Sequence, residues 1–233
     1  MTSAPKPVKD YFHREGEDFY RQYAADPNFR ERLEVWTDYI DRYGRPGGTV
    51  LDVGCGPGVF SLYAAARGMR VTGLDPAENM LAICRRVKAE RGLDDGVFVQ
   101  AGLEALPGLG LTADLVLCSS VLEYFDAPGQ ALATLARAVA PGGTLVVSLP
   151  NAASIFRKFD RLTYRLCGRP DYYRLVRTMS TPESFAVLAA GAGLSVVETA
   201  LYAGRHRLDP LFAALPPRRT ARLFASVLQN AAS

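Results

Sequence analysis

The run Val50-Leu51-Asp52-Val53-Gly54-Cys55-Gly56-Pro57-Gly58 constrains this chain more than any other stretch. A short apolar segment carrying one acid ends in a turn with glycine at every second position, and a helix-forming sequence follows. Glycine reaches positive φ without strain and lets a ligand approach the backbone, because no Cβ stands in the way. In an open α/β sheet, a nucleotide-like ligand binds in the crevice beyond the carboxyl ends of the strands. The run therefore predicts a strand over 49–53 and a ligand-binding turn immediately after it.

The pattern then repeats. Apolar runs at 49–53, 70–74, 96–100, 113–118, 143–149 and 194–202 alternate with helical patterns at 58–67, 77–91, 128–139 and 181–192. Such alternation predicts an α/β fold: a Rossmann-like open, mostly parallel sheet with helices on both faces. Residues 113–118 are almost continuously apolar, as a strand covered on both faces should be. Ahead of the sheet, residues 8–43 mix charges with Tyr11, Phe12, Phe19, Tyr20, Trp36 and other aromatics. Pro27 divides that stretch into two helices with Asp26 as the cap of the second. We expect an aromatic N-terminal helical lid over residues 1–47 and a core over 48–204 carrying a basic insertion at 151–180. A C-terminal helical extension is expected over 205–233, in which only 221–229 has the makings of a poor strand.

The 233 residues are 48% hydrophobic and 22% charged, a globular balance. No apolar run approaches the roughly 18 residues of a membrane span, and the first residues lack a signal-peptide core, so a cytoplasmic protein is expected. Cys55, Cys84, Cys118 and Cys167 form no CxxC pair, and no His, Asp or Glu cluster has metal-ligand spacing; a metal-independent chemistry is expected. His13 and His206 both lie outside the motifs. The net charge of +3 conceals an asymmetry, with −4 over residues 1–150 and +7 over 151–233. That asymmetry points to an anionic partner for the second part, or to solvated arginines without a role. No nucleic-acid-binding module is visible.

Asp75 closes the second strand, where an acid can accept hydrogen bonds from both hydroxyls of a ribose. A dinucleotide turn reads GxGxxG, whereas here the glycines fall at 54, 56 and 58 and position 59 is Val. With Asp75-Pro76-Ala77-Glu78-Asn79-Met80-Leu81 and the segments 97–107, 113–124 and 140–151, motif 50–58 resembles the class I S-adenosylmethionine (SAM) methyltransferases. Within that family, the chain is similar to the small-molecule enzymes of the quinone-biosynthesis group. The resemblance implies SAM as cofactor, S-adenosylhomocysteine as product, and a turn site built from Asp52, Gly54, Cys55, Gly56 and Gly58. It further implies that Asp75, Pro76 and Met80 meet the ribose and adenine, with Gly102, Leu103 and Ser119 beside them. The family usually carries an acid at the position of Gly102, so Glu104 is a candidate substitute. Glu123 and Tyr124, just past the fourth strand, are the catalytic candidates facing the methyl acceptor. The family fold also implies a final antiparallel strand, which either is short and irregular here or is replaced by a different ending.

The expected activity is SAM-dependent methyl transfer to a small, lipophilic metabolite, with O-methylation ahead of N- or C-methylation and a non-catalytic SAM-binding protein as the alternative. Between the fifth strand and the next helix, Ile155, Phe156, Phe159, Leu162 and Leu166 recur at helical spacing among Arg157, Lys158, Arg161 and Arg165. Gly168 and Pro170 then stop the helix. This basic amphipathic helix is expected to border the acceptor pocket as a lid for an amphiphilic, anionic acceptor, or to touch an anionic membrane surface peripherally. An ordinary surface helix packed on the sheet is the competing expectation.

Overall fold

The computed structural model describes residues 6–204 and 215–230. Two helices lead the chain: α1 (Lys6–Ala25) and α2 (Pro27–Tyr43). The Asp26 carboxylate accepts the Asn28 N–H at 2.7 Å and Pro27 takes the first turn, so α2 starts where the sequence expects. The α/β part runs β1 (Thr49–Val53), α3 (Val59–Ala66), β2 (Arg70–Asp75), α4 (Glu78–Glu90), β3 (Val97–Gln100), α5 (Leu106–Leu109) and β4 (Ala113–Ser119). It continues with α6 (Pro128–Arg137), β5 (Val139–Pro150), α7 (Ile155–Cys167), α8 (Pro182–Gly191), β6 (Leu194–Tyr202) and β7 (Leu223–Asn230).

The seven strands form one sheet in the order β3-β2-β1-β4-β5-β7-β6. Pairings are parallel from β3 through β5, and β7 runs antiparallel to both of its neighbours. Strand β4 shows why both faces are covered. Leu115 and Leu117 enter a core with Trp36, Ile40 and Phe60 of α2 and α3. Val116 and Cys118 point the other way, toward Leu132 and Leu135 of α6 and Phe185 of α8. A strand with apolar residues on both faces cannot face water on either side. Among the described residues, no helix is long and apolar enough to cross a membrane.

Two expectations are corrected. The C-terminal segment is not a helical extension at 223–230 but β7, inserted between β5 and β6, with every residue from Leu223 to Leu228 buried. Because both of its faces are covered, Leu-Phe-Ala-Ser-Val-Leu lacks the alternation that marks a half-exposed strand, and periodicity alone cannot separate it from a helix. Residues 205–214 of that expected extension, with His206, lie outside the described residues.

The second correction concerns α7. It forms as expected and stops at Gly168, which adopts φ 68°, but its four basic residues do not share one surface. Arg157 is buried, whereas Lys158, Arg161 and Arg165 are exposed. Its apolar residues divide too: Phe156 is buried, while Phe159, Leu162 and Leu166 are 57%, 51% and 77% exposed.

Candidate active site

The carboxyl ends of β1, β2 and β4 open into a cavity of about 460 Å³, within the range of small-ligand sites. Its floor is the turn after β1. Gly54, Gly56 and Gly58 hold φ of 74°, 53° and 76°, which side chains rarely tolerate. At Gly54 a Cβ would collide with the Val121 side chain; at Gly56 it would meet nothing within 4 Å and would project into open space. Gly54, Cys55 and Gly56 line the cavity. Gly58 does not: it precedes α3 and packs so closely that a Cβ would stand 2.7 Å from the Cys84 sulfur.

Asp75 fixes the shape of this turn. One carboxylate oxygen accepts the Gly56 N–H at 2.9 Å and the other accepts the Ala77 N–H at 2.8 Å. Burial pushes its carboxyl up to about 6, against the pull of those two N–H donors. Pro76, Met80, Gly102, Leu103 and Ser119 complete this half of the cavity. The Glu104 carboxylate folds over Gly102, into the space a Cβ there would take, and its Oε2 is buried with no protein partner. Asp52 lies below the cavity rather than on its wall: its Oδ2 accepts the Ser61 hydroxyl at 2.6 Å and its Oδ1 is buried without a protein partner. Burial raises this carboxyl to about 7, with Ser61 opposing the rise.

The other half of the cavity begins at Glu123 and Tyr124, in a single 3₁₀ turn after β4. The Glu123 carbonyl accepts the N–H groups of Arg177 and Thr178 at 2.7 and 3.0 Å, which pins this turn to the segment before α8. Its side chain is 5% exposed, and Oε2 is buried with no protein partner. Burial pushes the Glu123 carboxyl up to about 7, while Arg157 and then Arg32 draw it down. Tyr124 packs edge-on against Phe12 of α1, so the first helix closes over this half.

Several lining residues carry no motif. Arg32 of α2 is 8% exposed, donates to the Ser119 hydroxyl at 2.6 Å and lies 5.7 to 6.0 Å from the ring centroids of Tyr23, Phe29 and Phe60. A signal for it exists in the sequence: Arg32 shares the helical stripe of Trp36, Tyr39 and Ile40, and a charge on an apolar stripe marks a buried cation. Ser120 and Ala203, the non-glycine residues at positive φ among those described, both line the cavity. Strained backbone of this kind clusters at ligand sites. Arg157, Tyr172 and Arg222 close the far end.

The chain is 31% identical over 173 residues to a ubiquinone biosynthesis O-methyltransferase of Aromatoleum aromaticum, covering 69% of this chain and 70% of that one. It is 32% identical over 204 residues to a malonyl-[acyl-carrier protein] O-methyltransferase of Enterobacter lignolyticus, covering 78% and 79%. A ubiquinone biosynthesis O-methyltransferase of Pseudomonas paraeruginosa is 37% identical over 119 residues, and there the match spans about half of each protein, 50% and 49%. In fold, the magnesium protoporphyrin IX methyltransferase of Synechocystis superposes with a TM-score of 0.73 at 18% identity, covering 96% of this chain and 98% of that one. The methyltransferase domain family matches residues 28–199, and this chain belongs to that family.

Proposed function

We propose that this protein transfers a methyl group from SAM to a hydroxyl of a small, lipophilic metabolite. One observation carries the reading: a buried carboxylate with an unpartnered oxygen, Glu123 Oε2, shares a cavity with the glycine turn and Asp75. The residues present suit SAM. Asp75 offers carboxylate oxygens for ribose hydroxyls, Gly56 leaves the turn open, and Arg32 supplies a buried cation for a carboxylate. Met80 and Leu103 offer apolar surface for adenine, and the carboxylate beside Gly102 belongs to Glu104. When bound, SAM supplies a methyl already activated by a sulfonium.

The chain's own work is then to orient the acceptor and to receive its proton. Orientation alone can contribute ~7–11 kcal/mol of a barrier. Tyr11 and Phe12 of α1 pack beside Tyr124 in the acceptor half, which favours a lipophilic acceptor. Glu123, buried and raised to about 7, suits a proton acceptor working near neutral pH. Relatives whose names specify O-methyl transfer support oxygen as the acceptor atom. A second reading has its own observation: Phe159, Leu162 and Leu166 stand exposed beside Lys158, Arg161 and Arg165 on α7, a face suited to an anionic lipid surface. Incubation with SAM and fractionated cell extract tests the main reading. Formation of S-adenosylhomocysteine that depends on an extract fraction supports catalysis, and SAM binding without turnover in any fraction favours a non-catalytic SAM-binding protein.

A further inference from the structure

The far end of the cavity contains charges that the cofactor half does not use. Arg157 of α7 is 8% exposed; its Nε donates to the Arg222 carbonyl at 3.1 Å and its Nη1 to the Tyr172 hydroxyl at 2.5 Å. These bonds use two of the five guanidinium N–H donors and hold its plane in place. Arg222, the residue before β7, sits over the Phe156 ring at 5.4 Å and places Nη1 3.1 Å from the Asp160 carboxylate. Its Nε is buried with no protein partner. Arg157 and Arg222 line the cavity, as does Glu123, yet no ion pair within 4 Å joins Glu123 to either arginine among the described residues. A buried cation and a buried carboxylate that face one cavity without touching each carry a desolvation cost that a direct pair would reduce. A ligand that lies between them, with an anion for the arginines and a hydroxyl for Glu123, satisfies both.

Resting on the transfer chemistry above, we propose that Arg157 and Arg222 form a carboxylate-binding subsite, and that the acceptor is a hydroxy acid whose acid group and hydroxyl lie at opposite ends of an apolar body. Arginine forks match the planar, two-oxygen geometry of a carboxylate. The sheet sets the span. Glu123 follows β4, Arg222 precedes β7, and β5 lies between them. Strands stand about 4.8 Å apart, so the β4 and β7 backbones are separated by roughly 10 Å, which leaves room for one aromatic ring, with or without a short side chain, between an acid group and a hydroxyl. Tyr11, Phe12 and Tyr124 along the wall suit such a ring.

The test is calorimetric binding in saturating S-adenosylhomocysteine of 4-hydroxybenzoate, 4-hydroxyphenylacetate and 4-hydroxycinnamate, each against its neutral amide. Wild-type protein should bind at least one acid about tenfold or more tightly than its amide. Arg157→Gln and Arg222→Gln should each erase that preference, and Arg157→Lys should keep part of it; unchanged S-adenosylhomocysteine affinity shows that each variant is folded. Equal binding of acids and amides by the wild type overturns the subsite, as does a preference that survives both Gln substitutions. Failure of the transfer reading looks different: the acids bind with Arg-dependent preference, but no methyl reaches their hydroxyl.

Discussion

Asp75 reaches back from the end of β2 to the turn after β1, where its Oδ2 accepts the Gly56 N–H at 2.9 Å. The same carboxylate holds Ala77 at 2.8 Å, so one side chain shapes both the glycine turn and the start of α4. Asp75→Ala removes these bonds together with the acceptor proposed for the ribose. A hydrogen bond to a charged group contributes about 1.5–3 kcal/mol, so S-adenosylhomocysteine affinity should fall by about tenfold or more in calorimetric titration. Unchanged affinity in a folded variant contradicts the assignment.

A pH profile isolates Glu123. Burial pushes its carboxyl up to about 7, and only the ionised form can accept a proton. With SAM saturating, kcat/KM should therefore rise as pH increases through about 7. Glu123→Gln should remove that limb and lower kcat by about 10²–10⁴-fold, with little change in S-adenosylhomocysteine binding. A profile identical in wild type and variant places the proton elsewhere.

Asp52 and Ser61 make a separate prediction about stability. Burial holds the Asp52, Asp75 and Glu123 carboxyls above their unfolded values near 4. The folded state then binds more protons than the unfolded one between about pH 4 and 7, so stability falls as pH rises across that window. Asp52→Asn keeps an acceptor for the Ser61 hydroxyl and removes one buried charge. Its melting temperature should equal or exceed the wild type at pH 8 and lose that advantage at pH 4; a lower melting temperature at pH 8 shows that the charge itself holds the fold.

Helix α1 lies across the cavity, with Val8 buried against Tyr124 and Leu175. It meets α4 through Glu17 to Arg86 at 2.8 Å, through the Phe12 carbonyl and Asn79 at 3.3 Å, and through Tyr20 packed beside Leu81, Ile83 and Val87, while Tyr23 is buried with Trp36 and Phe60. Removing residues 1–25 should lower the melting temperature of the sheet domain and weaken S-adenosylhomocysteine binding. Equal affinity in the truncated protein removes the lid role.

The sequence reveals the glycine-turn half of the cavity better than the half beyond Glu123. Glycine spacing and strand-end acids are local signals, and Gly54, Gly56 and Asp75 line one cavity. Strands β1 to β6 and the cap of α2 follow from runs, breakers and capping chemistry in the same way. Strand β7 escapes because burial on both faces erases its alternation. Arg157 escapes because its burial depends on Tyr172 and the Arg222 carbonyl, which only the folded chain brings to α7. Arg32 is intermediate, legible as a cation on an apolar stripe but without a partner until Ser119 arrives from β4.

Methyl transfer to oxygen is proposed for the cavity shared by Asp75 and Glu123. Its most direct test is turnover of methyl-labelled SAM with a panel of phenolic hydroxy acids and lipophilic alcohols, reading the position of the label by NMR. A labelled methoxy product should form one for one with S-adenosylhomocysteine and be lost in Glu123→Gln. Label on nitrogen or carbon, or no transfer to any member of the panel, would contradict it.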